Sequence, residues 1–300
     1  MVSTTSSVLF AKHPQWVAES TEGTTPSSNP TFTSLGAVKS ASIKINGNHV
    51  DVAQLAAEDL ITIVQGQQEY ETSFVLSAVN ATSIIARLIG AYNYATPSGT
   101  INETISILFS IYLNGTENYI LCKGSRIKEG SISWDIGKET EITVSFTHTS
   151  IITPITTSNA GLGASTTFAP LPSGAVYDWL AGGTTPVSWN ASGILCKKFT
   201  LNIARNSKPD YTLGNVDPHS SQAHGRRISG DFTTLWTNTT LETDFKAGTA
   251  RTIAIVLKSA VSTITITGSK ITDYSRDGDI GSDEAIVENC TFRALSVAQA

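Results

Sequence analysis

Cysteine is scarce in this chain. Cys122, Cys196 and Cys290 are its three, widely spaced, each in or beside an apolar run. That excludes a disulfide-stapled secreted module and leaves buried small hydrophobes as the expectation. Charge is sparse too, at 15% of residues, with 20 Lys+Arg against 25 Asp+Glu and a net charge of −5. No basic run exceeds Arg226-Arg227. Such a surface does not hold a phosphate backbone, so specific nucleic-acid binding is not expected. No apolar run approaches the ~18 residues of a membrane span. The N-terminus lacks a charged region ahead of an apolar core, so no signal peptide, no membrane partner and a cytoplasmic site of folding are expected. There is no Gly-x-Ser-x-Gly elbow, no Ser/His/Asp set and no phosphate-cradling glycine loop. No catalytic residue is therefore assigned, and the chain does not read as an enzyme.

What is present is a quarter Ser and Thr within a 40% hydrophobic chain, a composition that suits strands. The stretch Gly124 to Gly137 (GSRIKEGSISWDIG) recurs as Gly268 to Gly281 (GSKITDYSRDGDIG) at a constant offset of 144. Upstream, Glu103 to Phe109 answers Arg251 to Leu257 at an offset of 148, the excess falling at the turn Leu113 to Asn118. Ser42 to Asn48 answers Thr200 to Asn206, and Ser73-Phe74 through Asn80 answers Asp231-Phe232 through Asn238. A period of domain length with order kept throughout predicts duplication of one unit.

The coarse reading is an N-terminal arm at 1–35, a first β domain at 36–150, a linker or extended loop at 151–194, and a second β domain at 195–300. Each domain is predicted as a mainly β, antiparallel barrel or sandwich with one flanking helix. In the first, strands are expected near 41–46, 60–64, 70–79, 103–112, 117–128 and 139–148. Asn80 caps a helix at 81–91 whose Ile84, Ile85, Leu88 and Ile89 share one face. In the second, strands are expected at 195–203, 227–236, 250–258, 261–272 and 284–294. Its helix begins near Asn238 or Thr239, with Glu242 placed to complete a capping box.

Lys198 to Asn206, then Tyr211-Thr-Leu-Gly214, then Arg227-Ile-Ser-Gly-Asp-Phe232 resemble the tail tube (major tail) proteins of tailed viruses. Glu19 to Pro26 resembles the N-terminal arm of that group. The first half departs from the pattern: the loop after Asn48 reads as shorter and lacks the Tyr-x-Leu-Gly sequence. The resemblance implies a structural virion protein of the tail, whose subunits form rings that stack into a tube and conduct the genome during ejection. Single-unit members build rings of six, so a duplicated chain implies a homo-oligomer of three, pseudo-hexameric. Strand pairing between neighbours removes the open edges. Tail-tip and tail-terminator proteins are the implied partners, and genomic DNA passes through the lumen without specific binding. The connections at about 47–59 and 204–226 are the segments expected to reach the next ring.

Asp273 to Glu284 fits the twelve-position calcium loop, with Asp273, Ser275, Asp277, Asp279 and Glu284 as candidate metal ligands and Gly278 at the sixth place. Its flanks read as strands, not helices, and Trp134 stands where the second copy has Gly278. The alternative is a solvated acidic hairpin loop. Calcium is the one cofactor the sequence suggests. His219 and His224 near Asp217 lack a fourth ligand, and His13, His49 and His148 have no partner at useful spacing. Asn114 and Asn190 carry glycosylation triplets in expected surface loops. Two rival functions remain: a baseplate or tail-terminator ring, and a carbohydrate-binding surface β-sandwich presenting Trp134, Trp179 or Trp189.

Overall fold

The chain is mainly β, with two helices among the described residues. The computed structural model describes residues 8–9, 14–26, 29–52, 62–78, 82–90, 104–113, 116–155, 162, 167–170, 185–205, 207–222, 225–258, 262–278 and 285–299. The first half holds β1 (Val8–Leu9), β2 (Gln15–Ala18), β3 (Thr33–Ser34), β4 (Ala37–Gly47), β5 (Val50–Val52), β6 (Thr62–Val64), β7 (Gln68–Ser77), α1 (Thr82–Ile89), β8 (Ile105–Leu113), β9 (Thr116–Asp135), β10 (Glu141–His148) and β11 (Ser150–Ile155). The second holds β12 (Val187–Trp189), β13 (Ser192–Ile194), β14 (Cys196–Ala204), β15 (Lys208–Asp210), β16 (Ser220–Gln222), β17 (Arg227–Leu235), α2 (Thr240–Ala247), β18 (Arg251–Lys258), β19 (Ser262–Asp277), β20 (Val287–Ala294) and β21 (Ser296–Gln299).

Alternation sets these strands. In β7, Tyr70, Thr72, Phe74 and Leu76 are buried while Glu71, Ser73 and Val75 between them are half-buried, the period of two that a one-sided sheet requires. α1 buries Ile84, Ile85, Leu88 and Ile89, the face expected from their spacing.

The same pairing order occurs in both halves. β4, β7, β10 and β9 lie side by side, all antiparallel, and the leading part of β9 also pairs with β8 and β11. β14, β17, β20 and β19 repeat this, with β18 and β21 on the leading part of β19. Registers agree as well. Ser42 faces Ser73 as Thr200 faces Asp231, and the shift between Ser145 and Phe146 in β10 corresponds to that between Ile271 and Asp273 in β19. Trp16 of β2 faces Ile107 as Trp189 of β12 faces Ile253, so the hairpins β2–β3 and β12–β13 occupy matching places. The segments read as arm and linker thus each supply a strand beside β8 or β18. The second hairpin turns tightly through Asn190 and Ala191, both at positive φ.

Three expectations change. Ile105 faces Ser125 as Arg251 faces Ser269, which puts β8 and β18 at an offset of 146, not 148. The two-residue slip preserves every side-chain face, so alternation alone could not detect it. β5–β6 and β15–β16 pair Val50 with Val64 and Lys208 with Gln222, making the connection after Asn48 as long as its counterpart. Around α2, the Thr239 side chain makes no capping bond, Asn238 Oδ1 accepts from Thr240 N at 2.9 Å, and Glu242 bonds Lys246 and Arg276 instead of reaching back.

The halves do not pack as separate bodies. β9 pairs antiparallel with β14, and one apolar cluster runs through both halves, including Phe74, Phe146, Trp134, Phe199, Phe232 and Phe292. Each such ring contributes about 1.5–3 kcal/mol by leaving water. Among the described residues the sheet does not close into a barrel: β4 and the trailing part of β19 have a neighbour on one side only.

β9 and β19 each change sheet at a glycine in the left-handed region, Gly124 (φ 59°) and Gly268 (φ 69°). Glu19, 4% exposed, fits into the first corner: its Oε1 accepts from Gly124 N at 3.0 Å and from Ser106 Oγ at 2.6 Å. Beside it, His148 is fully enclosed, with Ser125 Oγ 2.7 Å from Nδ1 and Thr72 Oγ1 2.8 Å from Nε2. Burial pushes this imidazole down to a pKa of about 3 from its ordinary 6.5.

A Cβ at Gly124 would stand 2.3 Å from Thr149 Oγ1, whereas one at Gly268 would meet the Leu295 side chain at 2.7 Å. Leu295 is 83% exposed and free to swing away. Gly124→Ala should cost about 2–3 kcal/mol and Gly268→Ala about 1 kcal/mol in denaturant titration. For His148 the unfolded chain takes the proton first, so its contribution is complete above pH 6.5 and falls away below it. By pH 5 the loss should reach about 2 kcal/mol, and His148→Gln should flatten that part of the stability–pH curve relative to wild type.

Candidate assembly surfaces

The seam between the halves is the most informative surface. β9 and β14 pair from Lys198↔Asp135 to Ala204↔Glu129, producing a continuous eight-strand ribbon from β4 to β19. One face carries the apolar core. On the other, a single rung runs Val75, Thr143, Ser131, Asn202, Ser229, Arg293, and the next runs Ser77, Glu141, Ser133, Thr200, Asp231, Thr291. This face is dished around the seam, where an open depression of about 890 Å³ lies over Glu129, Ser131, Thr143, Asn202, Arg227 and Arg293. Its charges are interspersed: Lys128 pairs with Glu71, and Lys39 with Glu139 and Glu141. Among the described residues, these pairs and Glu129 interrupt the basic groups Arg226, Arg227 and Arg293 that line the depression.

The excursion between β14 and β17 folds back over the first half. Arg205, 5% exposed, donates from Nη2 to the carbonyls of Arg87 at 2.8 Å, Leu88 at 2.9 Å and Gly90, and Arg226 donates to Ile89 O. Two guanidinium groups thereby satisfy the carbonyls left open at the C-terminus of α1, where the helix dipole favours cations. Burial lowers the Arg226 pKa. Farther along, Tyr211 Oη donates to Gln68 O at 2.8 Å and Tyr70 Oη to Asp217 at 2.6 Å, which with desolvation raises the Tyr70 pKa. Glu22 accepts from Ser221 N at 2.6 Å and from Arg126 at 3.1 Å, locking the arm to this excursion. Leu213 at the tip is fully exposed.

Sequence reasoning took Glu19, Glu22 and Arg205 only as members of the motifs that resemble tail tube proteins and gave none of them a role. Each is a charged residue in a polar-looking segment, and only the fold reveals that its partners are backbone groups and strand corners. The candidate metal ligands fall differently. Asp273, Ser275 and Asp277 lie in the extended part of β19, which continues past the point where a loop was expected, while Asp279 and Glu284 lie outside the described residues. Alternate residues of a strand stand about 6.6 Å apart. Calcium ligands at ~2.3–2.6 Å from the ion must lie closer together than that, so these three do not converge on one point. Up to Asp277 the segment is a strand that is polar on both faces, as befits an edge. Asp277 accepts from Asn289, and Asp273 from the Tyr274 amide.

His219 is exposed and bonds through its backbone to Asp210 O, and His224 and His13 lie outside the described residues. Trp134 and Trp189 are buried, 7% and 2% exposed, so neither forms a sugar platform, and Trp179 lies outside the described residues. Trp189 Nε1 donates to Asp244 Oδ2 at 2.8 Å, and Asp244 also holds Arg251 through both oxygens, which keeps that carboxyl below its usual range. Cys122 and Cys290 are buried thiols and Cys196 is half-buried; burial pushes the latter two up to about 12. Asn190 sits in the β12–β13 turn, and Asn114 lies outside the described residues. Given the spacing along β19, adding calcium should leave the melting temperature unchanged. A rise of several degrees would mean that Asp279 and Glu284 complete a site.

No curated protein matches the chain. A family model described as phage tail tube protein matches residues 10–294, from the strand pairing with β8 to the end of β20, and so takes in both halves and the seam between them. The chain belongs to the phage tail tube protein family, a structural component of the virion tail.

Proposed function

We propose that the chain is one tube unit written twice, and that three copies close into a pseudo-sixfold ring with the polar, dished face of the ribbon toward the lumen. The observation that carries this reading is the repeated pairing order, joined once inside the chain by β9 and β14. The seam already places two units side by side in one sheet, as a ring of such units requires. A wall of Ser and Thr with charges of both signs suits a conduit, because it offers DNA no fixed phosphate clamp. The excursion tip, with its exposed Leu213, is the element we assign to contact with the next ring. Tail-tip and tail-terminator proteins would meet the two ends of the stack.

Electron microscopy of the purified protein tests this. Long hollow tubes with threefold-averaged rings are expected; lone rings would instead favour a baseplate or tail-terminator role, and a persistent monomer would refute assembly altogether. Leu213→Asp should leave rings intact and shorten or abolish tubes, with an unchanged melting temperature for the dissociated chain.

A further inference from the structure

The seam inside the chain is a template for a seam between chains. β14 lies against the trailing edge of β9. The strand matching β14 in the first half is β4, at an offset of 158 (Thr200 against Ser42), and among the described residues it pairs only with β7. The strand matching β9 is β19, at an offset of 144 (Asp273 against Glu129), and among the described residues its trailing edge pairs only with β20. Burial separates the covered copies from the uncovered ones. Ile203 in β14 is 1% exposed, whereas its counterpart Ile45 in β4 is 54% exposed. Ile132 and Trp134 of β9 are buried, whereas the matching Arg276 and Gly278 are exposed. The two open edges are therefore complementary halves of a junction the chain already makes once.

Transferring the register gives definite pairs. Thr200↔Ser133 becomes Ser42 opposite Asp277, Asn202↔Ser131 becomes Lys44 opposite Ser275, and Ala204↔Glu129 becomes Asn46 opposite Asp273. Lys44 then stands between two aspartates at the diagonal positions, about 7–8 Å away and within reach of a lysine side chain. On the other face Ile45 comes opposite Tyr274, a half-buried ring whose hydroxyl is held by Glu288 at 2.5 Å. Charge also forbids the wrong pairings. Two β19 edges would set aspartates against aspartates, and two β4 edges would set lysine against lysine.

We propose that Ser42–Asn46 of one copy pairs antiparallel with Asp273–Asp277 of a second copy, with Lys44 opposite Ser275. The acidic segment is thus the receiver of a neighbour's lysine, and the contact is head-to-tail, so it closes a ring and does not stop at a twofold dimer. This rests on the tube reading and fixes its register.

The test is cross-linking in the assembled protein. The double variant Lys44→Cys with Ser275→Cys, oxidised after assembly, should give a disulfide-linked ladder ending at a closed trimer. Lys44→Cys with Asp277→Cys (slipped by two residues) and Lys44→Cys with Tyr274→Cys (opposite face) should give little. Separately, Lys44→Glu should abolish rings, and adding Asp273→Lys and Asp277→Lys should restore them; circular dichroism and melting of the dissociated Lys44→Glu chain should match wild type. Wild-type tubes combined with efficient cross-linking only at a slipped pair, or with rings indifferent to Lys44→Glu, would overturn the junction while leaving the tube reading standing. Wild-type protein that forms neither rings nor tubes would overturn both.

Discussion

The structure depends on backbone hydrogen bonding across the β9–β14 seam. A sheet edge is a row of unpaired donors and acceptors, and this fold deals with the problem by giving an edge to another unit. Within the chain the transaction is complete: β14 covers β9, and the residues on the core side of both strands are buried. The core follows from it. Trp134 meets Phe199 across the seam edge to face, and Phe199 continues into Phe232 and Phe292, so the apolar cluster of one half is sealed by aromatics of the other. Neither half has a hydrophobic interior that is finished without the seam.

The second constraint is the corner. Long strands serve two sheets only if the chain turns sharply at one residue, and Gly124 and Gly268 supply a left-handed conformation there. Around the first corner the chain has gathered Glu19, Ser106, Ser125 and His148, and beside the second it has the buried Ser269, counterpart of Ser125, and the exposed Leu295. The two halves share a backbone plan and differ in how their corners are stabilised. The N-terminal segment, extended between β2 and β3 where the second copy has a two-residue turn, is what makes the first corner polar and well filled.

Much of this was legible in the sequence. The 144-residue offset matched Gly124 with Gly268, and the helical spacing of Ile84, Ile85, Leu88 and Ile89 named the buried face of α1. What escaped has specific causes. The trailing end of β19 reads as a calcium loop or an acidic turn because an uncovered edge carries charge on both faces, and charge is also what loops carry. β2 and β12 share little beyond a tryptophan at the same register, and two strands of four and three residues leave too short a pattern to align. Trp134 looked available for a ligand because its burial comes from β14, a strand more than sixty residues away in the chain. Arg205 and Glu22 gave no signal, since a side chain bonded to a distant carbonyl or amide has no sequence periodicity.

The ends of the two helices differ in where their hydrogen-bond partners come from. α1 is finished from outside, by Arg205 and Arg226 reaching across the seam, whereas α2 ends itself with Gly248 in the left-handed region, its amide bonded to Phe245 O. A borrowed terminus is dependable only when the lender is always at hand, and a covalent tether guarantees that at any dilution. The helix beside the internal seam therefore takes its stop signal from a partner in the same polypeptide, while α2 carries its own. Separating the halves would thus unfasten the end of α1 and leave that of α2 as it is.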